Sequence, residues 1–453
     1  MIYDLVIKNG WIVTHQKTIQ GTLVIHNEKI VSILDPEEPV QGKKVLDVTG
    51  KYILPGLIDA HVHAGHGEPE RETFAHVSRS AAAGGITTIL EQPLSNPSTT
   101  NEKAYMDKKV AAQAQCHVDF GLWGGLIPGN ENDLAVLHQL GGEAYKAFMC
   151  RCSNYPMSND HVLLRGMKKI SKLGGMLAVH AENDTMIYDY VDELKEAGQN
   201  GIEAYLESHQ PYTELEAIER FVFLMKLAPG IKGHIVHMSI PQGAEVIKQA
   251  KKQGVDISVE TCPQYLALTD EDLLRIGGVA KCDPPVRSKE LVEELWKSVL
   301  DGTIDIIGSD HSPHPYEKKL GFIEEFDKIS EGVTSIQTLL PVMLTEGVHK
   351  REMTLNHLVA LTSYNVARRF GLLPYKGQLE PGSDADFIVL DLDKEWVCKA
   401  SDMFYLNQHT PYDKQVFKGK LEGTFVRGHQ VYRPHEILNQ EGFGRFYPMK
   451  MQR

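Results

Sequence analysis

Two periodicities alternate through the middle of the chain. Short runs rich in Val, Ile and Leu occur at 53–64, 85–92, 117–123, 144–150, 176–180, 233–238, 256–261 and 304–309. Apolar runs of this length predict strands buried on both faces, as in a parallel sheet. Between them, over 101–115, 160–173, 214–227, 242–253 and 289–300, apolar residues recur at helical spacing, which predicts helices with one buried stripe. The pairs Gly84-Gly85 and Gly174-Gly175 stand where such helices must end before the next strand, as C-terminal caps. Eight buried strands alternating with helices predict an α/β fold, the (β/α)8 barrel. A doubly wound open sheet is the competitor, but it usually has fewer strands and a Gly-rich phosphate loop after the first, which this chain lacks.

The ends have another rhythm. Asp4 to Gly10 and Leu23 to Glu28 show strand alternation and turn residues, and Asp386 to Leu390 and Gly423 to Gly428 return to that pattern. The prediction is a small β-sandwich-like domain assembled from residues 1–52 and 376–453, flanking a barrel of residues 53–375.

Composition narrows the class. The 453 residues are 42% hydrophobic and 24% charged, as in ordinary globular proteins. No run of 18 apolar residues and no signal-peptide layout at Met1 to Leu5 is present, so a membrane is not expected as a partner. Six cysteines without framework spacing suit a reducing, cytoplasmic setting. The net charge of -13, with no basic block, argues against nucleic acid or anionic lipid.

In a barrel the reactive groups belong at the C-terminal strand ends. Those ends carry His61 and His63 on the first strand, Lys146 on the fourth, His180 on the fifth, His237 on the sixth and Asp310 on the eighth. Residues i and i+2 of a strand share a face, so His61 and His63 converge, and two imidazoles can share one metal ion. A lone pair of this kind is also compatible with ordinary polar strand residues. Further histidines and a carboxylate at the same end of other strands make the joint metal site the better account. His66, His117, His311 and His314 read as loop groups or supports for a ligand, and Cys150 with Cys152 reads as packing.

The stretch Pro55 to His63, the strand-end ligand set and Pro381 to Asp386 resemble the cyclic amidohydrolases of the amidohydrolase superfamily, the group of hydantoinases, dihydropyrimidinases, dihydroorotases and allantoinases. The resemblance spans nearly the whole chain. It is nearest to the allantoinases, through Tyr145 to Phe148, Glu260 to Tyr265, Ala280 to Arg287 and Ser309 to Pro313. It implies ring opening of allantoin to allantoate in purine nitrogen catabolism, with a hydantoinase or dihydropyrimidinase as the alternative. It further implies two divalent metal ions, zinc foremost with cobalt, manganese, iron or nickel possible, and a CO2-derived carbamate on Lys146. In that pattern His61, His63 and Asp310 hold one metal, His180 and His237 hold the other, and Lys146 bridges them. A buried ammonium beside two cations would be strongly repelled, and carboxylation removes that conflict. Two cations would acidify a shared water, and Asp310 would move its proton to the leaving nitrogen. The group also implies a homotetramer. Some relatives have lost their metal ligands and act as scaffolds, but all six ligand positions are filled here.

Departures from the pattern bear on the substrate, a small cyclic ureide. Dihydroorotases place Arg after the second histidine, where this chain has Ala64; hydantoinases place Tyr five residues after the lysine, where it has Arg151. Asp283 stands where Ser or Ala usually precedes Pro-Pro, and Glu331-Gly332 replaces a glycine-rich turn. Arg151, Asp283, Glu331 and Gly332 are therefore the candidate substrate-binding residues.

Overall fold

The computed structural model describes residues 1–152, 154–320 and 325–451. Five strands open the chain: β1 (Ile2–Val13), β2 (Thr18–His26), β3 (Lys29–Leu34), β4 (Gln41–Asp47) and β5 (Tyr52–Pro55). Nine parallel segments follow: β6 (Leu57–Val62), β7 (Ile86–Glu91), β8 (Asp119–Leu122), β9 (Gly124–Gly125), β10 (Ala144–Phe148), β11 (Met176–His180), β12 (Lys232–Ile235), β13 (Ile257–Thr261) and β14 (Ile306–Ile307). Four strands end it: β15 (Phe387–Val397), β16 (Val416–Val426), β17 (His429–Arg433) and β18 (Glu436–Ile437).

The middle group is a closed barrel. β8 and β9 are one strand interrupted at Trp123, because β8 pairs with β7 and β9 with β10. Counted so, eight parallel strands run round in chain order. First and last meet through a parallel bridge between Val62 and His311, and the His63 N–H donates to the His311 carbonyl at 2.8 Å. The barrel strands overlap the eight predicted runs, except that β9 lies just past the third and the first run also takes in β5, which pairs into the outer sheet. The helices Glu102–Gln115, Asp160–Leu173, Pro211–Lys226, Pro241–Lys252 and Lys289–Leu300 fall on the five predicted amphipathic stretches. Local chemistry sets their ends. Asn159 caps one helix by accepting from the Val162 N–H at 3.1 Å, and Gly174 ends it with φ +85°, a conformation open to glycine without strain.

Alternation along β10 and β11 decides what faces where. Tyr145, Ala147, Leu177 and Val179 join the large core shared with the helices. Ala144, Met176 and Ala178 join a second core with Trp123, Phe370 and Met449. Lys146 and His180 continue this second face towards the C-terminal strand ends. The opposite end is sealed by the tail, where the Tyr447 N–H donates to the Phe120 carbonyl at 2.7 Å and the Met449 N–H to that of Gly141 at 3.1 Å.

The outer strands from both termini form one nine-stranded sheet, joined where β5 pairs antiparallel with β15. Its own core includes Leu5, Ile7, Leu23, Ile25, Phe387 and Phe425. A buried ion cluster ties it to the barrel: the Lys376 ammonium meets Asp119, Asp384 at 3.0 Å and Asp386 at 2.7 Å, and Arg427 also pairs with Asp119. Among the described residues no helix is long and apolar enough to cross a membrane. All six cysteines are free thiols.

Candidate active site

The six strand-end residues line one cavity of about 420 Å³. Asp310 Oδ1 lies 3.2 Å from His61 Nε2 and 3.3 Å from His63 Nε2. The His237 ring stacks 5.4 Å from that of His61 and meets the ring of His180 edge-on at 4.5 Å. Lys146 is buried, and no carboxylate among the described residues pairs with its ammonium. His237 and Asp310 adopt φ of +38° and +47°, which costs of order 1–3 kcal/mol each for residues with a Cβ. Their neighbours hold them there. The His237 N–H donates to Glu260 Oε1 at 3.3 Å, and Ser309 before Asp310 donates its N–H to Asp59 Oδ1 at 3.0 Å.

Burial sets the charges. Desolvation lowers His63 to about 3, His180 to about 4 and His237 well below its usual value, so these imidazoles are neutral near pH 7, with lone pairs to offer. Desolvation also lowers Lys146 to about 8. Burial by itself would raise Asp310, but the facing His61 and His63 outweigh it and hold the carboxyl well below its ordinary range.

The donors suit a cation. His61 Nε2 and His237 Nδ1 are buried and have no hydrogen-bond partner, whereas buried polar atoms are almost always satisfied. His61 Nδ1 is held 2.8 Å from Glu260 Oε1, the carboxylate–histidine arrangement that fixes a ligand's tautomer. His61, His63 and Asp310 bring three donor atoms within 4.8 Å of one another. A second such group is Cys150, His180 and Glu182, with His180 Nε2 2.7 Å from Glu182 Oε2. Sequence reasoning missed Glu260 and Glu182; their places at a strand end and two residues past one were the available signals. Cys150 and Cys152, read as packing, line the cavity wall. His314 lines it too, while His311 is buried between Glu72 at 3.1 Å and the Ser335 N–H at 3.1 Å, bracing the loop after Asp310. His117 is engaged elsewhere, with Asn439.

The sequence profile described as the amidohydrolase family matches residues 52–431. The chain belongs to the amidohydrolase family. Among relatives of this amidohydrolase, the L-hydantoinase of Paenarthrobacter aurescens is 36% identical over 449 residues, covering 98% of each chain. The allantoinase of Rubrobacter xylanophilus is 38% identical over 450 residues, covering 98% of this chain and 97% of its own. The solved structure of the L-hydantoinase (dihydropyrimidinase) from Arthrobacter aurescens matches with a TM-score of 0.96 at 36% identity, over 98% of this chain and 99% of that one.

The amidohydrolase cavity is also lined by the four residues singled out for substrate, Arg151, Asp283, Glu331 and Gly332. Arg151 is clamped by Asp184, which neutralises its guanidinium where it lines the cavity. Gly332 has φ +130°, and a Cβ there would lie 2.4 Å from the Ser312 carbonyl oxygen, so the turn requires glycine.

Proposed function

We propose that this amidohydrolase opens the hydantoin ring of allantoin to give allantoate. The chain is a hydrolase acting on cyclic amides. The observation that carries the reading is the convergence of four histidines, one lysine and one aspartate on a single cavity, together with the allantoinase relatives. In this reading His61, His63 and Asp310 would hold one divalent cation and His180 and His237 a second, with a carboxylated Lys146 as a ligand to both and zinc as the metal. The lowered pKa of Lys146, about 8 through burial, favours the free amine that carboxylation needs. Such a metal pair would supply Lewis acidity towards a carbonyl oxygen and lower the pKa of a bound water to about 7. Asp310, ionised and central, takes the proton from the attacking water and passes it to the ring nitrogen as the C–N bond breaks. Glu260 keeps the His61 ring in one tautomer. The barrel, which begins at Leu57 after β5 has joined the outer sheet, carries the chemistry, the strands from both termini buttress it, and the working form is a cytoplasmic homo-oligomer, a tetramer.

A hydantoinase reading has its own support in the L-hydantoinase relative and its matching structure. The test is a ring-opening assay, read by NMR, of the zinc-loaded chain on allantoin, hydantoin, dihydrouracil, dihydroorotate and succinimide. Preference for allantoin is expected. Turnover of another ring with allantoin inert would move the assignment to that substrate, and inertness towards all five would overturn it.

A further inference from the structure

A second cavity of about 260 Å³ adjoins the first and shares with it a wall made by Arg151, Tyr188, Asp283 and Glu331. Tyr205, Ser208 and His209 form part of its far side. This wall is firmly built. The Arg151 guanidinium donates through Nε to Asp184 Oδ1 at 3.0 Å and through Nη2 to Oδ2 at 2.9 Å. It lies 4.4 Å over the Tyr188 ring, whose hydroxyl donates to the Arg151 carbonyl at 3.2 Å. Buried Lys281 donates to the Phe326 carbonyl at 2.9 Å, the Ile329 carbonyl at 2.7 Å and Glu331 Oε1 at 2.9 Å. Buried Lys319 donates to the carbonyls of Lys281 at 3.0 Å, Ser330 at 2.7 Å and Gly332 at 2.7 Å. All three donors of each ammonium are therefore used in shaping the wall.

The cations around the chamber are already matched, whereas two of its carboxylates, Asp283 on the shared wall and Asp192 on the outer side, pair with no cation among the described residues. Arg151 is paired with Asp184, Lys281 with Glu331, and Lys195, which also lines the chamber, is engaged as well. Asp283 accepts from the Tyr205 hydroxyl through Oδ1 at 2.5 Å. Among the described residues no cation pairs with Asp283, and its Oδ2 accepts no hydrogen bond. A group entering from the catalytic cavity thus meets a carboxylate whose Oδ2 has no donor and, among the described residues of the chamber, no unpaired cation.

We propose that this side chamber is the subsite for the substituent on the scissile ring, and that Asp283 selects a neutral arm rich in N–H donors, such as a urea or primary amide, against a carboxylate. The inference rests on the cyclic-amide reading and adds the chemistry of the arm. A carboxylate arm would face Asp283 without compensation, whereas an amide N–H would satisfy Oδ2.

The test uses the zinc-loaded full chain and three hydantoins: unsubstituted, bearing an acetamide arm, and bearing the nearly isosteric acetate arm. The expected kcat/KM favours acetamide over acetate by at least about tenfold, and Asp283→Asn brings the two to within about threefold. Equal rates in the unmutated chain overturn the proposal. Preference that survives Asp283→Asn removes Asp283 from the role. If Asp283→Asn does not fold, the comparison in the unmutated chain still decides. If no ring is opened, the cyclic-amide reading fails separately. Calorimetric binding of the two substituted compounds then tests the chamber: tighter binding of acetamide supports it, and equal or tighter binding of acetate overturns it.

Discussion

Glu260→Gln isolates the contribution of one carboxylate to two candidate ligands. Glu260 is buried, with Oε1 2.8 Å from His61 Nδ1 and 3.3 Å from the His237 backbone N–H, and with Oε2 3.9 Å from His234 Nε2. It is packed so closely against Gly308 that a Cβ there would come within 2.6 Å of Oε2. The amide is isosteric, so the change removes charge without opening space. The Gln oxygen can still accept one bond, but the charge that favours the Nδ1–H tautomer of His61 is gone, and with it part of the hold on His237 at φ +38°. Outer partners of metal-binding histidines typically contribute about 10–100-fold in metal affinity or activity, or about 1.4–2.7 kcal/mol. Because Glu260 serves two ligands on different strands, the upper part of that range is expected. The assay is equilibrium dialysis of the zinc-loaded chain against graded chelator, with retained metal per chain read by mass spectrometry. The half-retention point should shift by about 30–100-fold in free zinc. A curve that overlays the unmutated chain, with unchanged turnover, would refute the orienting role.

Other outcomes follow from the same geometry. Lys146→Ala should lose stoichiometric metal and activity, with partial recovery on adding short carboxylic acids; full metal retention would remove the carbamate. Asp310→Asn should lower kcat by roughly 10²–10⁴-fold while dialysis still shows metal bound; near-normal kcat would exclude it from proton transfer. The metal-free chain should lose stability as pH falls from 6.5 towards 4, because the unfolded histidines bind protons near 6.5 while buried His63 and His180 resist to about 3 and 4. Urea midpoints across that window check it, and a flat profile contradicts the burial argument. Lys376→Met leaves Asp119, Asp384 and Asp386 without their shared ammonium; the expected loss is about 3–5 kcal/mol. An unchanged thermal midpoint would show that Arg427, paired with Asp119, and Lys29, paired with Asp384 at 2.5 Å, suffice.

What the chain discloses in sequence, and what it withholds, divides along the range of the interaction involved. A buried strand such as Met176–His180 or a capped helix such as Asp160–Leu173 is written by neighbours within a few residues, and both were legible. Strand-end placement made His61, His63, Lys146, His180, His237 and Asp310 legible too, since the barrel sends those ends to one place. The last strand was read as six residues but pairs over only Ile306–Ile307, because beyond it the Ser309 N–H goes to the Asp59 side chain and the His311 N–H to Ser309 Oγ. Those side-chain acceptors replace the ladder and leave Asp310 free to turn inward. Partners distant in sequence are what periodicity cannot supply. Arg151 reads as a substrate-binding residue until Asp184 is seen to neutralise it, and nothing in the sequence marks Lys319, whose ammonium is caged by three carbonyls. Asp283 gains meaning only from that same loss of cations around it: specificity on this wall lies in which charge was left unpaired, a property of the folded wall and of no single residue.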